Sequence, residues 1–328
     1  MTRHCAATLA ALAVLTASTG TAVTVRAEPL AAASNVAAAP LTGRPDPTGV
    51  ARRRPALAVK IENTPDARPQ AGLDTADVVY EEQVEGGITR FWAVFNSVSP
   101  GDVGPIRSVR AMDPNIVTPL HGIAAFSGGT LSNETLIRRA PVTWVDQTNA
   151  GPAFYRTPTR AAPHNLYAHT ALLWERPARP GPPPPLFHYR DTVAPHRGTP
   201  ASTVTLGFAA PYNVTYTYQA PTHTWMRSYG TTPHRAASGR PLAPTNVIIQ
   251  FVTYGSGGDA QLLGDAPDQP AWVLRDGTLI TGRWAKPDPA TPTQFTDPSG
   301  APIALRPGPT WVELLPASAS VRTTTTTR

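Results

Sequence analysis

Between Arg68 and Arg110 the chain packs a cluster of three glutamates (Glu81, Glu82, Glu85), a Gly86-Gly87 pair and three further arginines (Arg90, Arg107, Arg110). Only 15% of the residues are charged, so this density marks the candidate functional surface. Arginine forks suit phosphate or carboxylate, because two parallel N–H groups match two oxygens. Gly104-Pro105 predicts a helix from Ile106 to about Leu120, with proline in its first turn. On such a helix Arg107 and Arg110 share a face. The free N–H groups of its start would favour an anion. Arg90 joins from the neighbouring hairpin strand. The candidate anion-binding set is Arg90, Arg107, Ser108, Arg110, Glu82, Glu85, His164 and Asn165. The competing reading is that these arginines pair with Glu81, Glu82 and Glu85 and fasten the domain together.

Other chemistry finds less support. On a strand Glu81, Gln83 and Glu85 face one way and Tyr80, Glu82 and Val84 the other. Two acids on one face suit an acid and base pair, as in glycosidases, but so close together they need a counter-ion first. No catalytic residue is assigned. Asp113, His121 and His164 lack metal-ligand spacing such as H-x-x-x-H, so no metal or cofactor is expected. Ser127-Gly128-Gly129 lacks the G-x-S-x-G pattern, and no phosphate-cradling glycine loop occurs. Trp225, Trp272, Trp284 and Trp311 read as sheet core rather than as a sugar platform.

The elements that position these residues follow from pattern. Leu57 to Glu62 reads as a buried strand. Ala76 to Val84 and Thr89 to Ser97 read as a hairpin across Glu85-Gly86-Gly87, since glycine tolerates the positive φ that such turns need. Ile123 to Phe126 is a further strand. Asn133 caps a short helix through Arg139. His164 to Glu175 shows helical spacing at Leu166, Tyr167, Leu173 and Trp174. From Thr203 onward short aromatic and β-branched runs alternate with turn signals, such as Asp276-Gly277. The fold class is therefore α+β: a mixed α/β N-terminal domain at 56–175, then a mostly antiparallel β domain at 187–316. Arg176 to Pro185 (RPARPGPPPP) reads as a stiff spacer within a 176–186 linker. Residues 28–55 read as a disordered tether and 317–328 as a disordered threonine-rich tail.

Residues Cys5 to Val25 are apolar or small and follow a short polar start, which predicts a signal segment at 1–27 cleaved before Glu28. Its Thr, Ser and Gly content makes a poor spanning helix, so no transmembrane span is expected after cleavage. Cys5 is the single cysteine of 328 residues and precedes the apolar run, so it is misplaced for lipid attachment. The mature chain then has neither disulfides nor cysteine nucleophiles. Net charge is +6, and loss of Arg3 and Arg26 leaves +4. That mild surplus, exported and without basic and aromatic interleaving, argues against nucleic acid.

The motifs RPQAGL, ADVVYEE, VEGGITRFWAVF, GPIRSVR and APHNLYAHT, with TNVIIQFV, DGTLITGRW and TWVELLP further on, resemble the bacterial YerB-like putative lipoprotein family, over roughly Ala56 to Pro316. The resemblance implies an extracytoplasmic protein with an α+β first domain and a β-rich second one. It carries no activity and no catalytic residue. Two functional readings stand. One is a non-catalytic accessory module, secreted or at the membrane or cell-wall surface, that recognises an anionic wall polymer, a lipid-linked head group or an envelope protein. The other is an envelope hydrolase or transferase acting on a phosphate- or sugar-containing substrate, with Glu82 or Glu85 as base.

Overall fold

Leu57–Glu62 (β1), Val78–Gln83 (β2) and Thr89–Phe95 (β3) form the strands that hold the charged segment. The computed structural model describes residues 36–177, 181–190, 198–264 and 269–325. The expected signal segment, with Cys5, lies outside the described residues. β2 and β3 pair antiparallel through a turn at Glu85–Gly87, as their alternation and the Gly-Gly pair predict.

These strands sit inside an eleven-stranded mixed sheet among the described residues. From β2 the sheet runs through β3 and β1 to Ile123–Ala125 and Thr143–Val145. In the other direction β2 pairs in parallel with Thr310–Pro316, which pairs in parallel with Asn246–Val252. Antiparallel strands Pro270–Arg275, Thr278–Ala285 and Gln294–Thr296 follow, and Thr199–Pro200 pairs with Thr278–Ala285 as the eleventh. Strands from both halves of the chain thus share one backbone ladder.

Every residue of β1 and β3 is buried, so the sheet is covered on both faces. One face carries Val59, Ile61, Val79, Phe91 and Trp311, packed against Val204, Val214, Tyr216 and Trp225 of a five-stranded antiparallel sheet. The other carries Ala58, Val78, Trp92 and Leu314 with Ile116 and Val117 of the short helix Asp113–Val117 (α1). A strand buried on both faces normally shows a near-continuous apolar run. Charges within it therefore need partners. Trp225, Trp284 and Trp311 are core residues, as expected.

The structure is richer in strand than the α+β expectation. The helix expected over Ile106 to Leu120 is confined to α1 and a 3-10 turn at Thr118–Leu120. Residues 105–107 instead run beside β1: Glu62 N–H donates to Pro105 O at 2.9 Å and Arg107 N–H to Lys60 O at 2.9 Å. Backbone pairing to an open strand overrides the proline signal here. Arg107 and Arg110 therefore do not share a helix face, and no helix start lies at Pro105. The helical reading of His164 to Glu175 gives way to a strand, Leu166–His169, followed by a helix at Thr170–Trp174. The helix ending at Arg139 starts at Leu131, and Thr130 caps it by accepting from Asn133 N–H at 3.2 Å.

Two segments expected to be disordered are folded where described. Leu41, Ala39 and Ala51 are buried, and Tyr189 O–H donates to Leu41 O at 2.6 Å. Burial of these few apolar side chains ties 36–55 to the body. Val321–Thr324 adds a strand beside Thr203–Leu206, because a β-branched run completes an open sheet edge. Residues 178–180 of the expected spacer lie outside the described residues. Leu186, at the end of the expected linker, is buried, as is Phe187 just beyond it.

Candidate functional site

Three fully buried side chains form the floor of the charged region. Lys60 Nζ donates to Glu82 Oε1, and to Asp113 Oδ1 and Oδ2 at 2.8 and 3.0 Å. Lys60 projects from β1, Glu82 from β2, and Asp113 opens α1. Asp113 Oδ2 also accepts from Arg110 N–H at 2.7 Å, which ties the 107–110 loop to this floor. Burial, then the Asp113 charge, push the Glu82 carboxyl up to about 8, against the pull of Lys60.

Above the floor lie the arginines. Period-2 alternation puts Glu62, Arg90 and Glu82 on one face, and Arg90 stands in register between Glu62 on β1 and Glu82 on β2. Arg90 is buried and donates from one terminal nitrogen to Ser108 O at 3.0 Å and Ser108 Oγ at 3.1 Å. Arg110 donates to the same Ser108 Oγ at 3.2 Å, and through Nε and its other nitrogen to Glu85 Oε2 at 2.8 and 2.6 Å. Arg107 Nε lies 3.3 Å from Glu62 Oε2, without hydrogen-bond geometry. Glu62 is buried, and its Oε1 accepts from Thr64 O–H at 2.7 Å and lies 2.9 Å from His164 Nδ1. Burial, followed by the charges of Arg110 and Arg107, pushes the Arg90 guanidinium down to about 10. Arg90 and Arg110 thus meet at Ser108 Oγ, and the charges of Arg110 and Arg107 both bear on Arg90.

Of the candidate set, Arg90, Arg107, Ser108, Arg110, Glu85 and His164 meet around one patch. Glu82 lies beneath it, closed off by Lys60. Asn165 lies apart and accepts from Arg156 at 2.6 Å. Sequence reasoning missed Lys60, Glu62 and the role of Asp113. A signal was present: Lys60 and Glu62 are charged residues inside an otherwise apolar strand, two apart and so on one face.

A second buried lattice lies on the opposite face of β2. Arg227 donates to Glu81 Oε2 and lies 2.6 Å from His234 Nδ1, while His234 Nε2 meets Gln70 Oε1 at 2.8 Å. Asn63 donates to Glu81 Oε1 at 3.2 Å, and Tyr216 O–H donates to Glu313 Oε1. Glu81, Arg227 and Glu313 have no exposure at all, so this lattice clamps the two sheets together.

Models of a protein family of unknown function, DUF3048, match this chain twice: the N-terminal domain over residues 41–181 and the C-terminal domain over 204–312. The chain belongs to the DUF3048 family. A Bacillus subtilis protein named "Putative lipoprotein YerB" is 37% identical over 130 residues, which is 39% of this chain and 39% of that relative's length. The crystal structure of the YerB protein from Bacillus subtilis superposes with a TM-score of 0.73 at 23% identity, over 87% of this chain and 99% of that one. This second likeness is one of fold. In DUF3048 terms, the arginine patch belongs to the N-terminal domain, while Arg227 and Glu313 of the buried lattice fall at or next to the C-terminal one.

Proposed function

We propose that this chain is an extracytoplasmic binding module that recognises an anionic ligand through Arg90, Arg107, Ser108 and Arg110. One observation carries the reading: the Nε donor of Arg90 is buried with no acceptor, and that of Arg107 has only the poorly aligned Glu62 carboxylate 3.3 Å away, beside a third guanidinium. A buried donor left unmade costs roughly 1–3 kcal/mol. A phosphate or carboxylate placed there accepts those donors and relieves the repulsion among the cations. Extracytoplasmic residence rests on the predicted signal segment and on the lipoprotein name of the relative. No helix among the described residues is long and apolar enough to cross a membrane. The ligand class is an anionic wall polymer, a lipid-linked head group or an acidic face of an envelope protein. Hydrolysis with Glu82 or Glu85 as base draws less support, since Lys60 holds the first and Arg110 the second. The test is capture of purified envelope fractions by the mature chain and by Arg107→Ala/Arg110→Ala. Loss of at least about tenfold in affinity, some 1.4 kcal/mol, is expected. Equal binding by two equally folded proteins rejects the reading.

A further inference from the structure

The Arg110 fork is already filled by the chain itself. Both of its donors converge on a single oxygen of Glu85, and that carboxylate is 59% exposed while Arg110 is only 12% exposed. Glu85 sits at the tip of the hairpin, followed by Gly86 and Gly87, each with φ near +71°. A Cβ on Gly86 would meet nothing within 4 Å, so the turn has room. Beside it lies a groove of about 370 Å³ lined by Gln83, Glu85, Gly86, Tyr254, Ser256 and Gly258. An exposed carboxylate on a glycine turn, next to open space, is placed to leave the fork.

We propose that Glu85 holds the ligand's own place, and that the site therefore selects a dianionic phosphomonoester over a monoanionic carboxylate or phosphodiester. The inference rests on the anion-binding reading above. A tethered group competes at an effective concentration on the order of millimolar. A ligand with one negative charge exchanges like for like against that competitor and gains little. With Glu85 displaced, the patch holds three guanidinium groups (Arg90, Arg107, Arg110) and one carboxylate (Glu62), a surplus of two positive charges. The neighbouring floor adds no anion-repelling surplus, since Lys60 balances Asp113 and burial holds the Glu82 carboxyl up to about 8, largely protonated at neutral pH. A phosphomonoester carries close to two negative charges at neutral pH and three acceptor oxygens, enough for the Arg110 fork, Ser108 Oγ and the unpartnered Arg90 Nε. A diester has one charge and two free oxygens.

Titration calorimetry on the mature chain with phenyl phosphate, diphenyl phosphate and benzoate tests this, with Glu85→Gln alongside. The wild type should bind phenyl phosphate at least tenfold tighter than either monoanion. Glu85→Gln should tighten all three, because the tethered competitor is removed for each. Vesicles of phosphatidylcholine doped with phosphatidic acid or with phosphatidylglycerol separate a lipid source from a free one: the monoester lipid should be preferred if the ligand is membrane-borne, and neither retained if it is soluble. Equal affinities for the three soluble anions, equal retention on both doped vesicles, or affinities unmoved by Glu85→Gln would overturn the proposal while leaving anion binding intact. Absence of binding in every variant would remove the underlying reading as well. Glu85 is exposed, so loss of folding does not confuse the result.

Discussion

Arg90 and Glu82 stand directly opposite each other on β3 and β2, yet their side chains take different partners. Lys60 takes Glu82 from below, and Ser108 takes Arg90 from above. The charged region is thereby split into two layers: a closed triad in the core and an arginine layer with donors to spare. The lower layer sets the position of the 107–110 loop through Asp113. The upper one supplies the surface.

The triad makes stability depend on pH in a defined direction. The folded-state pKa of Glu82 is raised from 4.5 to about 8, chiefly by burial. A raised acid contributes its full stability below the unfolded value and loses it as pH rises through the folded one. Stability should thus fall between about pH 4.5 and 8, by at most about 1.4 kcal/mol per pH unit for this group. Glu82→Gln keeps an oxygen acceptor for Lys60 without the titration. Urea midpoints measured across this window should slope less in the variant than in the wild type, and parallel slopes would remove Glu82 as the cause.

Part of this arrangement is legible in the sequence, and the reasons are local. The β2–β3 hairpin follows from alternating β-branched and aromatic residues around Gly86-Gly87, whose backbone freedom the turn uses. The convergence of Arg90, Arg107 and Arg110 is also readable, though on a mistaken premise. Pro105 predicts a helix from Ile106 onward, while the segment pairs with β1, a non-local contact that no window of sequence contains. Lys60 and Glu62 are readable in principle as charges within LAVKIE. The Glu81–Arg227 clamp is not, because 146 residues separate its members.

The second lattice separates two carboxylates that look alike in sequence. Burial and the adjacent Glu81 charge hold the Glu313 carboxyl well above its usual range, the direction that favours the protonated acid. Glutamine matches a protonated acid in shape and in its ability to donate. Glu313→Gln should change stability by less than about 1 kcal/mol. Glu81→Gln leaves Arg227 as a buried cation without its carboxylate and should cost about 3–5 kcal/mol. Chemical denaturation at pH 7 compares them, and similar losses would contradict the assignment of the proton to Glu313.

Where the sheet approaches the loop before Ile123, Gly122 has no space for a side chain. A Cβ there would lie 2.1 Å from Ala56 O, a backbone atom of the residue before β1. That oxygen accepts from Ile123 N–H at 2.9 Å, so it cannot withdraw without breaking the ladder. Gly122→Ala should destabilise by about 1–3 kcal/mol. Thermal unfolding of this single variant is the check, and a neutral result would mean the strand Ile123–Ala125 sits farther from β1.

Arg90 offers the sharpest distinction between a structural and a binding role. A buried arginine that fastens a fold leaves an uncompensated carboxylate when removed, at about 3–5 kcal/mol. Arg90 has no carboxylate within ion-pair distance among the described residues: Glu62 is held by Thr64 and His164 with Arg107 alongside, and Glu82 by Lys60. Methionine fills much of the same volume and removes a cation that two neighbours repel. Arg90→Met should therefore cost less than about 1.5 kcal/mol, since the Ser108 hydrogen bonds are the main loss. Its affinity for phenyl phosphate should nevertheless drop at least tenfold, about 1.4 kcal/mol. A large stability loss with affinity intact would make Arg90 a structural residue and shift the anion site outward to Arg107 and Arg110 alone.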